Sequence, residues 1–142
     1  MNIRGLVTAS AMGAVLMGCV AVRESNIRMW EELRPATQAE KALLIENMRN
    51  SLFDPYSVRD VEISTVGTNL GADQASYRHV CVRLNAKNRM GAYVGRQATQ
   101  YIINSANGVV ANSQTMFTEA FCNDVRLRYS PFPEVERIGS RS

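Results

Sequence analysis

Four residues of this chain have side chains suited to thiol, redox or metal chemistry. They are the three cysteines, Cys19, Cys81 and Cys122, and the single histidine, His79. A cysteine thiolate can be modified, can form a disulfide or can bind a metal ion. There is no C-x-x-C pair, and two cysteines with one histidine would need a carboxylate to complete a tetrahedral site. The spacing favours modification or pairing of the thiols, so no metal site and no cofactor is predicted.

The first 18 residues have the pattern of a secretion signal. Arg4 and the amino terminus give a positive start, and the 14 residues from Gly5 to Gly18 are uncharged. A helix that spans the hydrocarbon core needs ~20 apolar residues, so this stretch is too short to be one. A positive start, a short apolar middle and small residues near the end are typical of a signal peptide. We therefore predict a signal peptide over residues 1–18.

The leader ends in Leu16-Met17-Gly18-Cys19. This stretch resembles the lipobox of bacterial lipoproteins, in which signal peptidase II cuts before the cysteine and the new amino terminus is lipidated. The resemblance implies a mature chain that starts at a lipidated Cys19 with acyl chains such as palmitate. In many diderm bacteria an Asp after the cysteine retains a lipoprotein in the inner membrane, so Val20 implies the outer membrane and a periplasm-facing domain. A soluble secreted protein and an uncleaved anchor are the alternatives.

Charge and size predict one ordinary globular domain after the leader. Removing Arg4 with the leader leaves 15 basic and 13 acidic residues, which are spread along the chain. So small a positive balance, in a secreted protein, argues against a nucleic acid as partner. The predicted partners are the membrane, through the N-terminal lipid, and an envelope protein.

The predicted compartment makes a disulfide between Cys81 and Cys122 the favoured interpretation, because the periplasm is oxidising. Such a bond would close a loop of about 40 residues and stabilise the fold by about 3–4 kcal/mol in the chain-entropy model. Two free buried thiols and a metal or redox site are the alternatives.

The mature chain divides into three parts by composition. Residues 19–36 are predicted to be a lipidated tether, 37–133 a single α+β domain, and 134–142 a flexible tail. Trp30 is unusual in a tether. It is expected either to cover the edge of the domain or to lie at the membrane interface, where an indole ring is half wetted.

The clearest helix begins at Thr37. Thr37 and Glu40 fit a capping box, and an apolar stripe follows at three- and four-residue spacing: Leu44, Ile45, Met48 and Leu52. Asp54-Pro55 is expected to end the helix, since a residue before proline avoids the helical region.

About four strands are predicted after this helix. Residues 61–65, 77–86, 93–104 and 109–116 contain alternating or β-branched residues, with a loop over 67–75 and a hairpin turn at Asn107-Gly108. The predicted fold is therefore α+β, with one N-terminal helix packed on a mostly antiparallel sheet.

Residues 117–129 fit both a helix and a strand, and we predict a short helical turn around Cys122 followed by an extended edge segment. Cys81 is expected on the opposite face of its strand from Val80 and Val82. Either the sheet is covered on both faces, or the disulfide ties the C-terminal segment to the second face; the latter is preferred.

Residues 85–95 read N-A-K-N-R-M-G-A-Y-V-G. They resemble an N-A-K-N-x-x-G-x-Y-x-G stretch in small uncharacterised lipoproteins of alphaproteobacteria, a resemblance that implies no activity. One interpretation is a ligand loop in which Lys87, Asn88 and Arg89 bind an anionic group. The favoured one is a hairpin connection, with Gly91 at positive φ and Gly95 admitting a close neighbour.

Catalysis finds little support in the sequence, and we predict that the protein is not an enzyme. His79 is the one histidine, and neither G-x-S-x-G nor H-E-x-x-H occurs. The predicted function is a structural or protein-interaction role in the cell envelope, as an accessory to an outer-membrane or secretion assembly. The alternative is a binding module for an envelope ligand or an inhibitor of a hostile hydrolase.

Overall fold

The computed structural model describes residues 27–71, 73–108, 110–113 and 116–140. The predicted signal peptide, Cys19 and the first part of the predicted tether lie outside the described residues. The described chain has mixed α and β structure around one mostly antiparallel sheet, which confirms the predicted class.

The sheet has six strands where about four were predicted. They are β1 (Arg59–Ser64), β2 (Gly67–Leu70), β3 (Ser76–Asn85), β4 (Gln97–Asn104), β5 (Val110–Ser113) and β6 (Tyr129–Pro131). Their order is β5-β4-β3-β1-β6, and β2 also pairs with β3. The additional strands are β2, in the predicted loop over 67–75, and β6, a short edge strand at the end of the extended edge segment that was predicted after Cys122. Gly67 and Asn69 are poor strand formers. They nevertheless belong to a strand because residues 67–70 pair with β3, from Gly67↔His79 to Leu70↔Ser76.

Three helices lie among the described residues, in addition to a helical turn over 27–31. They are α1 (Gln38–Ser51), α2 (Met116–Cys122) and α3 (Pro133–Glu136). The helical turn predicted around Cys122 corresponds to α2, which ends at that residue, and α3 is an additional helix that was not predicted. The capping box of α1 is confirmed: the Glu40 backbone N–H donates to Thr37 Oγ1 at 3.2 Å, and the Thr37 N–H donates to Glu40 Oε2 at 2.8 Å.

The main core lies between α1, one face of the sheet and the C-terminal segment. Leu44 and Met48 of α1 are fully buried. They belong to a cluster with alternate residues of three strands and three residues near the C-terminus: Val61, Ile63, Val80, Val82, Leu84, Tyr101, Ile103, Phe132, Val135 and Ile138.

The predicted flexible tail over 134–142 is wrong for its described part. Val135 and Ile138 are buried, because their three-residue spacing on a helical turn directs both into the core. Glu134 also pairs with Lys41 of α1 at 3.3 Å, and Glu136 Oε1 accepts a hydrogen bond from the Val61 N–H. The folded domain thus extends at least to Ile138.

The second face of the sheet carries a smaller cluster, held by the Cys81–Cys122 disulfide. Cys81, Cys122 and Leu127 are buried, and Phe121 packs against them. The disulfide therefore joins β3 to the end of α2, which confirms the predicted bond; α2 and Leu127 lie on this face, as preferred, whereas Phe132, Val135 and Ile138 pack on the first face.

Residues 27–36 belong to the domain, so the prediction that the tether extends to residue 36 is wrong. Met29 is buried against Gly67, and Arg34 forms two backbone hydrogen bonds with Val66 at 2.7 and 3.1 Å. Trp30 lies against Phe121, with ring centroids 5.1 Å apart. Of the two expectations for Trp30, the structure supports the one in which it covers the domain. The contacts are non-local, and in the sequence Trp30 was the residue that indicated them.

Candidate functional site

The loop over 86–95 forms a hairpin that continues from β3. Lys87 and Tyr93 make an antiparallel bridge, and Asn88 Oδ1 accepts hydrogen bonds from the backbone N–H groups of Met90 and Ala92 at 2.9 and 3.1 Å. The Asn88 side chain thus closes the tip of the hairpin, as expected for the favoured interpretation of this segment as a hairpin connection.

Both glycines of this hairpin have positive φ, 76° at Gly91 and 93° at Gly95. The prediction for Gly91 is confirmed. The prediction that Gly95 admits a close neighbour is wrong, because a Cβ at Gly95 would meet no atom within 4 Å. The backbone conformation alone is the reason for glycine there.

Ser57 fastens the hairpin to the 3₁₀ turn Pro55–Ser57. The Ser57 hydroxyl accepts from the Lys87 N–H, and the Ser57 carbonyl accepts from the Tyr93 hydroxyl, both at 2.9 Å. Two loops that are distant in sequence thereby form one end of the molecule. We call this end the apex, and define it by five apolar and three basic residues: Phe53, Tyr56, Met90, Tyr93, Val94, Arg59, Lys87 and Arg89.

The basic residues of the apex lie over its aromatic rings. The Arg59 guanidinium is 3.6 Å from the centroid of the Tyr93 ring, and Lys87 Nζ is 5.7 Å from the same centroid. Arg89 lies 5.9 Å from the ring of Phe53. Cations at these distances are attracted to the ring face. The structure therefore brings the predicted Lys87 and Arg89 together with residues that sequence reasoning missed, and hydrophobicity alone could not have singled those out.

A second surface is an open cleft of about 420 Å³ beside α2 on the second sheet face. Its lining is polar, with two arginines and one carboxylate: Arg83, Arg96, Gln97, Ala98, Thr118, Glu119 and Asn123. Arg96 pairs with Glu62 at 2.8 Å, and both side chains are partly exposed. The cleft offers hydrogen-bonding groups of both charges to a polar partner.

The disulfide helps to position one wall of this cleft. The Cys122 carbonyl accepts hydrogen bonds from Arg83 Nη2 at 2.8 Å and from the Tyr129 hydroxyl at 2.7 Å. The Arg83 guanidinium also lies 3.7 Å from the centroid of the Tyr129 ring. Arg83 therefore holds the end of α2 against β3, which already carries the Cys81–Cys122 bond.

His79 is satisfied within the sheet. Its Nε2 lies 2.9 Å from Asn69 Oδ1, its Nδ1 lies 3.2 Å from the amide nitrogen of Gln100, and its ring packs near Phe121. A neutral imidazole with the proton on Nε2 satisfies both contacts. Burial lowers the pKa of His79 below its ordinary value.

Among the described residues, no group of three histidine, cysteine or acidic side chains could hold a metal ion. Within that same part of the chain, no helix has the length and apolar character needed to cross a bilayer. Comparisons with protein-family models, with curated proteins and with solved structures find no match to this chain.

Proposed function

We propose that the chain is an exported bacterial lipoprotein, anchored through Cys19 in the outer membrane and facing the periplasm. Its folded domain has an interaction role in the envelope, with an envelope protein as partner. The supporting sequence feature is Leu16-Met17-Gly18-Cys19 behind a short apolar leader.

The structural observation that carries the proposal is the Cys81–Cys122 disulfide. Disulfides persist in oxidising compartments and are rare in the cytosol of mesophiles. Here the bond joins the central strand β3 to α2 and buries both sulfur atoms. A buried disulfide that holds α2 on the second sheet face fits a domain that folds after export.

The polar cleft is the surface that we assign to the protein partner. Arg96 and Glu119 present opposite charges at its lining, and protein interfaces use such groups for specificity. The disulfide and Arg83 fix the backbone on one side, so a partner would meet a preorganised surface.

The export and anchoring steps are tested by the mass of the purified amino terminus and by metabolic labelling with a palmitate analogue. We expect an acylated Cys19 in the wild type and no label in Cys19→Ser. An intact leader with an unmodified Cys19 would refute the anchored lipoprotein.

The interaction role is tested by crosslinking and purifying the tagged, lipidated protein from envelopes. An Arg96→Ala/Glu119→Ala variant should lose the co-purified protein that the wild type captures. Arg49→Ala is the matched control, because Arg49 is an exposed arginine on α1 that pairs only with Glu46 on the same helix among the described residues. Equal capture by all three proteins would remove the cleft from the proposal.

A further inference from the structure

The apex exposes an unusual concentration of large apolar side chains. The exposed fractions are 90% for Met90, 74% for Tyr56, 64% for Phe53, 56% for Val94 and 37% for Tyr93. Single exposed apolar residues are normal, but a contiguous group rimmed by polar residues marks a binding surface. These side chains occupy two loops that Ser57 joins, and Arg89 of one loop lies 5.9 Å from the ring centroid of Phe53 in the other.

The charge of the apex is positive. Lys87 and Arg89 make no ion pair among the described residues, and Arg59 has Asp60 at 3.7 Å, with both side chains more than half exposed. Asp54 is turned toward its own backbone, where its carboxylate accepts from the Tyr56 N–H. With Asp54 and Asp60 counted, three basic side chains and two carboxylates leave the apex a net charge of +1, and an anionic surface would meet Lys87 and Arg89 without an ion-pair partner among the described residues.

The shape of the apex favours a lipid bilayer over a protein as its occupant. The apolar side chains stand on a hairpin and on the neighbouring turn, and all five are exposed. Aromatic rings and basic side chains that lie together match the interface of an anionic bilayer, where rings enter the headgroup layer and basic groups meet phosphates. We propose that the apex is a second membrane contact, which docks the domain onto an anionic phospholipid bilayer.

The proposal rests on the proposed function, because that function holds the domain beside a membrane. Residues 19–26, between the anchor and the described chain, can span at most about 28 Å. Met29, near the start of the described chain, packs at Gly67, which pairs with His79 of β3. Lys87 of the apex follows His79 by eight residues along β3 and its hairpin, so the two residues are about 26 Å apart at the usual strand rise. The two lengths are similar, so the anchored domain can place its apex on the same bilayer.

The test uses the full chain as purified from bacterial membranes, with a fluorophore at Met90→Cys. Cys81 and Cys122 are bridged and buried, and an acylated Cys19 carries no thiol, so the label goes to the new thiol; a sample with an unmodified Cys19 is labelled in a Cys19→Ser background. The control label is at Val125→Cys, since Val125 is 92% exposed and outside the apex. Vesicles are phosphatidylcholine alone or mixed with phosphatidylglycerol, each with and without a quencher in the acyl chains.

We expect a blue shift and acyl-chain quenching at position 90 with phosphatidylglycerol, and neither at position 125. Lys87→Gln/Arg89→Gln should lower the ratio of docked to undocked protein by roughly 25-fold, since each basic residue near an anionic surface contributes about fivefold. The matched control is Arg49→Gln/Arg128→Gln, which removes two exposed arginines outside the apex and should leave the ratio unchanged.

Three results would overturn the proposal: no response at position 90, an equal response to phosphatidylcholine alone, or a response only to an added envelope extract, which would indicate a protein partner. The mass of the amino terminus is measured on the same sample. An unmodified Cys19 with a quenched label at position 90 refutes the anchor alone, and an acylated Cys19 without quenching refutes the apex alone.

Discussion

Glu40 gives the sharpest test of what stabilises this domain. Its side chain is 1% exposed, yet it is a carboxylate near the start of α1. Arg34 donates to both of its oxygens, at 2.8 Å from Nη1 and 2.6 Å from Nη2, and Arg78 Nη1 lies 2.9 Å from Oε1. These contacts tie α1 to the N-terminal segment and to β3. The perturbation is Glu40→Gln, which preserves size and removes the charge.

The magnitude follows from the pKa of Glu40. Burial by itself would raise this pKa, but the hydrogen bonds from Arg34 and Thr37, with the positive charge of Arg34, outweigh burial and lower the pKa from 4.5 to about 2. Because protonation and folding are thermodynamically linked, the lower pKa of Glu40 in the folded state corresponds to about 3 kcal/mol of folding free energy at neutral pH. Because the folded pKa is the lower one, this contribution is fully present above pH 4.5 and is lost as the pH falls through about 2.

Urea unfolding at a series of pH values measures the effect. At neutral pH, Glu40→Gln should lower the free energy of unfolding by about 3 kcal/mol, because it leaves two arginines beside a neutral group. The gap from the wild type should shrink below pH 4.5 and nearly close around pH 2. Glu46→Gln is the matched control on the same helix; its side chain is 62% exposed and should change stability by less than about 0.5 kcal/mol.

A gap that stays constant from neutral pH to acid would refute the reasoning, because it would show that the loss comes from packing rather than from charge. A gap at neutral pH no larger than that of Glu46→Gln would refute it as well, since the arginines would then contribute nothing measurable to the buried carboxylate.

Three further perturbations test other parts of the fold. Replacing both Cys81 and Cys122 with Ala should lower the free energy of unfolding by about 4 kcal/mol, because the unfolded chain regains the entropy of the open loop. Reducing the disulfide of the wild type should cause the same loss in urea unfolding. An unchanged urea midpoint in either case would contradict the stabilising role of the disulfide. Gly67→Ala should destabilise the domain by about 1–3 kcal/mol, because the new Cβ would lie 2.5 Å from Met29 Cγ. If the variant melts at the same temperature as the wild type, residues 27–36 do not pack as described. Because burial lowers the pKa of His79, its NMR titration should have a midpoint below 6.5. The folding free energy that depends on the neutral imidazole is therefore lost as the pH falls below 6.5. A midpoint at or above 6.5 would contradict the burial of His79.

Local features were readable from the sequence because their causes are local. Thr37 and Glu40 form their capping box within one helical turn. The alternation around Val80 and Val82 specified β3, and Gly108, with φ 66°, sits in the turn that joins β4 and β5. The disulfide could be inferred from an even number of cysteines left after Cys19 and a predicted oxidising compartment.

The remaining contacts needed the folded chain, because their partners are far apart in sequence. Arg34 reaches Val66, Met29 fits against Gly67, and Arg78 of β3 meets the carboxylate of the capping box. No residue type or period in these segments announces such pairings. They exist only after the sheet has brought the segments together.

The apex shows the same division. The sequence alone determined that Lys87, Asn88 and Arg89 lie in a glycine-containing connection between strands. The tertiary structure decided what surrounds them, because the Ser57 hydrogen bonds place that hairpin beside the turn that carries Tyr56. Local backbone preference is encoded in neighbouring residues, whereas a surface is assembled from segments whose proximity depends on the packing of the whole domain.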